Sequence, residues 1–271
     1  MSKPTEGSRS LHWVLKVGNL RKSMDFFEGV LGLRVLRHEE FLSGCEATCN
    51  GPYGGAWSKT MIGYGPELTN FALELTYNYG IASYKSGNDL VHIVLSCPAA
   101  IVRARALGYT VEEEDVIVGP DNYRFKIVHC EKGRDERFVA VALRVSSLEA
   151  SKHYWGDVLG LKTFATPQSL TLAMPSVCVS FDHMSQVTLQ FVQNNDGAVD
   201  HALANGRIAF ACPTPSVNSI FEMVSSSGHT VQTPPLTLPT PGKASVVVTI
   251  LVDPDELVFT LSLAALPLSD H

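Results

Sequence analysis

Along this chain, apolar and polar residues alternate over several short stretches and recur at helical spacing over others. Residues 11–17 and 71–77 alternate with the period of two expected of half-buried strands. In the second stretch Phe71, Leu73, Leu75 and Tyr77 share one face, and Ala72, Glu74 and Thr76 the other. Between them, Leu20, Met24, Phe27 and Leu31 fall on one side of a helix predicted over 20–30, with Gly32 placed to cap its C-terminus. Short strands are predicted over 35–38 and 60–64, around a turn-rich insert at 38–59, and together these elements make one β-α-β-β-β unit. A second unit follows, with strands over 91–95, 111–114, 115–118 and 123–128 and a helix over 98–107.

The pattern then repeats. Val14-Leu15-Lys16-Val17 reappears as Ala142-Leu143-Arg144-Val145, and Leu20, Ser23, Phe27 and Val30-Leu31-Gly32-Leu33 reappear as Leu148, Ser151, Trp155 and Val158-Leu159-Gly160-Leu161. Further on, His92-Ile93 matches Arg207-Ile208, Cys97-Pro98 matches Cys212-Pro213, and Pro120-Asp121 matches Pro254-Asp255. The chain therefore divides into two homologous halves, 1–134 and 135–271, of two units each. Four such units predict an α+β fold with two curved sheets.

Composition narrows the function classes. With 271 residues, 45% of them hydrophobic, the chain is long enough for a sizeable core. Its net charge of -6 is spread without basic clusters, which argues against nucleic acid as a partner. The longest apolar runs, 246–252 and 257–268, are too short or too interrupted for a membrane span of roughly 20 residues, and the first ten residues lack an apolar signal core. Six cysteines without a secretion signal read as reduced thiols in a cytoplasmic setting, with a mitochondrial one left open. Cys45 and Cys49 near His38 invite a zinc reading, but no second pair follows to complete four ligands.

One carboxylate stands out. Glu74 lies on the small-residue face of an otherwise apolar strand, and a buried carboxylate is costly unless paired or bound to a cation. The same parity argument puts His12, His92 and Lys126 on the less apolar faces of their strands. His12, Glu74 and His92 are of ligand types that suit Zn, Ni, Co or Fe, although a single strand histidine is more often a hydrogen-bonded core residue. The matching positions of the second half hold Ala140, Gln190, Arg207 and Thr260, a degenerate set that suits a structural half or one facing an anion.

Several of these motifs carry a resemblance. Leu11-His12, Val17-Gly18-Asn19-Leu20, the Val-Leu-Gly-Leu helix end, Gly63-Tyr64-Gly65-Pro66-Glu67 and Leu73-Glu74-Leu75-Thr76-Tyr77-Asn78-Tyr79-Gly80 resemble glyoxalase I, of the vicinal oxygen chelate superfamily. The insert, with Arg37-His38-Glu39-Glu40-Phe41 and Cys49-Asn50-Gly51-Pro52-Tyr53, is closer still to a two-half branch of that family. The resemblance spans nearly the whole chain and weakens between 163 and 196. It implies paired β-α-β-β-β units cupping a divalent metal, Zn, Ni or Co, held by His or Gln, Glu, His and Glu. It also implies a lactoylglutathione lyase that isomerises the methylglyoxal–glutathione hemithioacetal, with glutathione as co-substrate.

By position, His12, Glu74 and His92 match three metal ligands, and Lys16 and Asn78 the glutathione contacts; the fourth ligand, a glutamate that the family also links to proton transfer, falls on Lys126, a departure that leaves Glu74 as the one matched carboxylate to act as base. The competing expectation is a non-catalytic binding or scaffold protein, since fold alone does not carry function. An iron-dependent ring-cleaving dioxygenase is a third reading. Pairing of units stays open at this level: within the first half three ligands meet, whereas exchanged units leave each hollow at most two. Two chains pairing as a homodimer is likewise open.

Overall fold

Two eight-stranded mixed sheets, built from four β-α-β-β-β units, make up the protein in a computed structural model that describes residues 4–129, 135–170, 172–181, 186–213, 216–238 and 245–263. The first unit holds β1 (Arg9–Lys16), α1 (Leu20–Phe26), β2 (Arg34–Phe41), β3 (Trp57–Gly63) and β4 (Ala72–Asn78). The second holds β5 (Leu90–Leu95), α2 (Ala99–Ala106), β6 (Val111–Glu112), β7 (Val116–Val118) and β8 (Arg124–Ile127). The third holds β9 (Phe138–Val145), α3 (Leu148–Lys152), β10 (Lys162–Ala165), β11 (Ser176–Ser180) and β12 (Thr188–Gln193). The fourth holds β13 (Arg207–Cys212), α4 (Ser216–Ser226), β14 (Val231–Leu238), β15 (Val246–Val252) and β16 (Val258–Leu263).

Local chemistry explains the first unit's helix. The Asn19 side chain accepts the Lys22 N–H at 3.0 Å and starts α1. Its last turn widens through 27–31 and stops at Gly32, whose φ of 73° lies in the left-handed region that glycine adopts without penalty.

The units do not pair in chain order. The first sheet runs β14-β15-β16-β13-β1-β4-β3-β2 and the second β10-β11-β12-β9-β5-β8-β7-β6. Unit one therefore pairs with unit four, through antiparallel β1 and β13, and unit two with unit three, through antiparallel β5 and β9. Each sheet takes one unit from each sequence half.

The chain passes between the sheets twice, and the two crossing segments lie against each other. Asn88 N–H donates to the Asp200 carbonyl and Asp200 N–H to the Asn88 side chain, both at 2.7 Å. They run so close that a Cβ at Gly87 would lie 1.8 Å from the Asp200 carbonyl oxygen.

The apolar strand faces and the helices share one core. Phe26 and Phe27 pack on Phe125 of β8, with ring centroids 5.3 and 5.6 Å away, and Trp155 packs on Phe259 of β16 at 4.6 Å. Fully burying side chains of this size stabilises the fold by roughly 2–3 kcal/mol each. The opposite face of each sheet is the side on which a hollow is expected. No helix among the described residues is long and apolar enough to cross a membrane.

The cysteines depart in part from the expectation of reduced thiols. Cys97, Cys178 and Cys212 are free and buried, and Cys130 lies outside the described residues. Cys45 and Cys49, however, are bridged, with Cα atoms 5.5 Å apart. Tight turns bring them together: Thr48 N–H donates to the Cys45 carbonyl, and Cys45 N–H to the Asn50 side chain.

Candidate functional site

The exchanged pairing decides which predicted residues meet. His12 and Glu74 share the first hollow, where their companions from unit four are Arg207 and Thr260. His92 lies in the second hollow with Lys126, Ala140 and Gln190. The set His12, Glu74 and His92 is thus divided between two sheets, because the register that joins β1 to β13 leaves β5 to pair with β9.

In the first hollow His12 is held between two carboxylates. Its Nδ1 lies 2.6 Å from Glu67 Oε1 and its Nε2 3.4 Å from Glu74 Oε2. Glu74, 6% exposed, also accepts from the Thr76 hydroxyl at 3.4 Å. Burial pushes the Glu67 carboxyl up, but the bond and charge of His12, with Arg37 and Lys59 behind it, outweigh this and hold it at about 2. Arg37 in turn reaches Glu39 at 3.3 Å, and Glu39 meets Lys59 at 2.7 Å, so the rim of β2 and β3 is a chain of paired charges.

Sequence reasoning passed over Glu67. It stands in the turn between β3 and β4, where strand parity says nothing about direction, and its only signal was its place in the Gly65-Pro66-Glu67 segment.

Lys16 and Asn78 lie on the same hollow, both buried. The Lys16 ammonium donates to the Asn205 backbone carbonyl at 2.9 Å and also meets the Asn205 side-chain oxygen. Burial, aided by the nearby Arg207 cation, lowers the Lys16 ammonium to about 8. Asn78 is bound to the insert: it donates to the Asn50 carbonyl at 3.1 Å and accepts from the Asn50 side chain at 2.9 Å.

The insert therefore folds over the hollow instead of projecting from it. Ala47 and Asn50 are buried, and Arg207 donates to the carbonyl of Ala47 at 3.1 Å and to the carbonyl and hydroxyl of Thr48 at 3.4 and 3.2 Å.

The second hollow is filled by apolar side chains. Val94, Val139, Ala140, Leu170 and Cys178 form a small buried cluster there. Gln190 donates to the Leu170 carbonyl at 2.8 Å, while Lys126 pairs with the exposed Glu114 at 2.8 Å. Burial, with Lys126 adding to it, pushes the His92 imidazole down to about 4, so this ring is neutral at ordinary pH.

Neither hollow offers the donor set that the resemblance implies for a metal. Among the described residues no group of three His, Cys, Asp or Glu side chains is placed to hold an ion. In the first hollow Glu67 takes the ring nitrogen opposite the one that faces Glu74, leaving two donors, and Arg207 adds a cation where a third ligand would stand. Two donors beside a guanidinium do not fit a divalent cation.

Comparison with known proteins agrees with the architecture. Residues 9–117 match the model of the Glyoxalase/Bleomycin resistance protein/Dioxygenase superfamily, and residues 147–260 that of the glyoxalase domain-containing protein 4-like C-terminal domain. The chain is 43% identical over 251 residues to glyoxalase domain-containing protein 4 of Mus musculus, covering 91% of this chain and 82% of the relative. It is 40% identical to glyoxalase 1 of Caenorhabditis elegans over 92% of this chain and 86% of the relative. Among solved structures, glyoxalase I from Zea mays superposes with a TM-score of 0.73 at 22% identity, covering 95% of this chain and 93% of that one, a likeness of fold.

Proposed function

The chain belongs to the Glyoxalase/Bleomycin resistance protein/Dioxygenase superfamily, in its glyoxalase domain-containing protein 4 branch, and from that premise we propose that it isomerises a glutathione hemithioacetal in the first hollow. More distant relatives include the lactoylglutathione lyase GLX1 of Arabidopsis thaliana, 29% identical over 58% of this chain. The observation that carries the reading is the contact of Glu74 with His12 on the hollow floor, beside Lys16 and Asn78.

In this reading Glu74 removes the proton from the carbon that bears sulfur and hydroxyl. His12, its ring fixed by Glu67, keeps the carboxylate in place from the other side. Lys16 and Asn78 hold the glutathione end once the insert moves aside, because the insert and Asn205 now occupy their polar atoms. The residues present do not complete a metal site, so the scheme runs on the chain's own groups.

The test is formation of S-lactoylglutathione from methylglyoxal and glutathione. The wild type is expected to form it, and Glu74→Gln to slow it by about a hundredfold or more, the usual weight of a general base. Equal rates in the two proteins would remove Glu74 from the role.

A second reading, a ligand-binding protein without chemistry, is favoured by the closed insert with its Asn50–Asn78 and Arg207–Ala47 bonds. It predicts binding of S-hexylglutathione with no product formed.

A further inference from the structure

Arg207 presents a puzzle that the scheme above leaves unused. It stands at the repeat position of His92, and Val14 of β1 pairs with Glu74 on one side and with Arg207 on the other. Carboxylate and guanidinium therefore flank Val14 on the same face of the sheet, with Lys16 one step further along it.

The partners of the guanidinium are unusual for a residue so placed. They are two backbone carbonyls and one hydroxyl, all from Ala47 and Thr48 of a single surface insert. Among the described residues no carboxylate lies within ion-pair distance of it. Charged acceptors bind a guanidinium about twice as strongly as neutral ones, and its planar fork suits two adjacent oxygens. A ligand offering such a pair, with negative charge, would displace the insert's carbonyls.

We propose that Arg207 is a catalytic residue of this hollow: its guanidinium takes the two neighbouring oxygens of the hemithioacetal and stabilises the enediolate formed when Glu74 removes the proton. This rests on the isomerase reading above, and it assigns to a side chain the positive charge for which the hollow lacks metal ligands. The step balances within the substrate. The C–H bond beside sulfur breaks and its proton goes to Glu74; the electron pair becomes the C=C bond, and the carbonyl pair moves onto oxygen, facing Arg207. Glu74 then returns the proton to the neighbouring carbon, the hydroxyl proton passes to the other oxygen, and the thioester carbonyl forms. No oxidant or reductant is needed.

The test is calorimetric binding of two probes: S-hexylglutathione, and a glutathione carrying a hydroxamate on sulfur, whose planar oxygen pair imitates the enediolate. The wild type is expected to bind the hydroxamate at least tenfold more tightly than the alkyl probe, with and without EDTA. Arg207→Gln is expected to lose that preference while still binding the alkyl probe, and Arg207→Lys, which lacks the planar fork, to recover only part of it. Thr48→Ala, which removes one of the insert's contacts and keeps the guanidinium, is expected to retain the preference, separating loss of the charge from loosening of the insert. A preference that survives in Arg207→Gln, or one that vanishes in EDTA, overturns the assignment. Equal wild-type affinity for both probes overturns Arg207 alone; failure to bind either overturns the glutathione reading together with it.

Discussion

His201 offers the sharpest check on how the two sheets are held. It lies in the second crossing segment, where its Nδ1 meets Asp89 Oδ2 at 2.9 Å and its Nε2 donates to the Asp255 carbonyl at 2.6 Å. Burial alone would drive the imidazole toward neutrality, but the bonds to Asp89 and Asp255, with the charges of Asp89 and Asp253, override it and lift the ring to about 9. A rise from 6.5 to about 9, at about 1.4 kcal/mol for each tenfold change in proton affinity, amounts to about 3.5 kcal/mol of folding stability at its fullest, and to about 3 kcal/mol at pH 6. Because the folded-state value is raised, this contribution is complete below about pH 6.5 and is lost as pH climbs through 9. The assay is urea unfolding of the wild type and His201→Gln at intervals from pH 6 to pH 10. The difference between them should be about 3 kcal/mol at pH 6 and shrink toward zero by pH 10. A difference that stays constant across that range would refute the ionic role and leave His201 as a packing residue.

Three further outcomes follow from the geometry. Glu67 is held at about 2, well below its ordinary 4.5, so its stabilisation is present above about pH 4.5 and lost as pH falls through 2; Glu67→Gln should flatten the acid limb of the unfolding curve by about 2–3 kcal/mol. Trp155→Ala, which empties a fully buried site against Phe259, should cost about 3–5 kcal/mol in denaturant unfolding. Gly87→Ala should cost about 1–3 kcal/mol, since its new methyl meets the Asp200 carbonyl; hydrogen exchange at Asn88 and Asp200 should rise with it, and unchanged exchange would argue against the tight crossing.

Much of this fold could be read from periodicity. The strand over 71–77 was displaced by one residue at each end, and the predicted glycine cap at Gly32 has the left-handed backbone expected of it. The faces were legible too, because strand parity depends only on neighbours: Leu73 and Leu75 are in the core, and Glu74 and Thr76 face the hollow. What parity cannot supply is the choice of partner strand. That choice depends on how β1 and β13 match edge to edge across almost 200 residues, and it separated His92 from His12 and Glu74. The insert was legible as turn-rich but not as a cover, since its burial comes from bonds to Asn78 and Arg207, which leave no periodic trace.

The exchanged pairing has a consequence for how such a duplicated chain can decay. Were each half a self-contained cup, mutations in one copy could ruin its own cup and spare the other, the ordinary fate of a redundant duplicate. Here every cup has one wall from each copy. The second copy sets Arg207 and Thr260 on its wall of one cup and Ala140 and Gln190 on its wall of the other, so its departures from the first copy reach both cups. Duplication of the sequence thus provides no spare site in the molecule: a change in either copy falls on a wall of a cup that the other copy also builds.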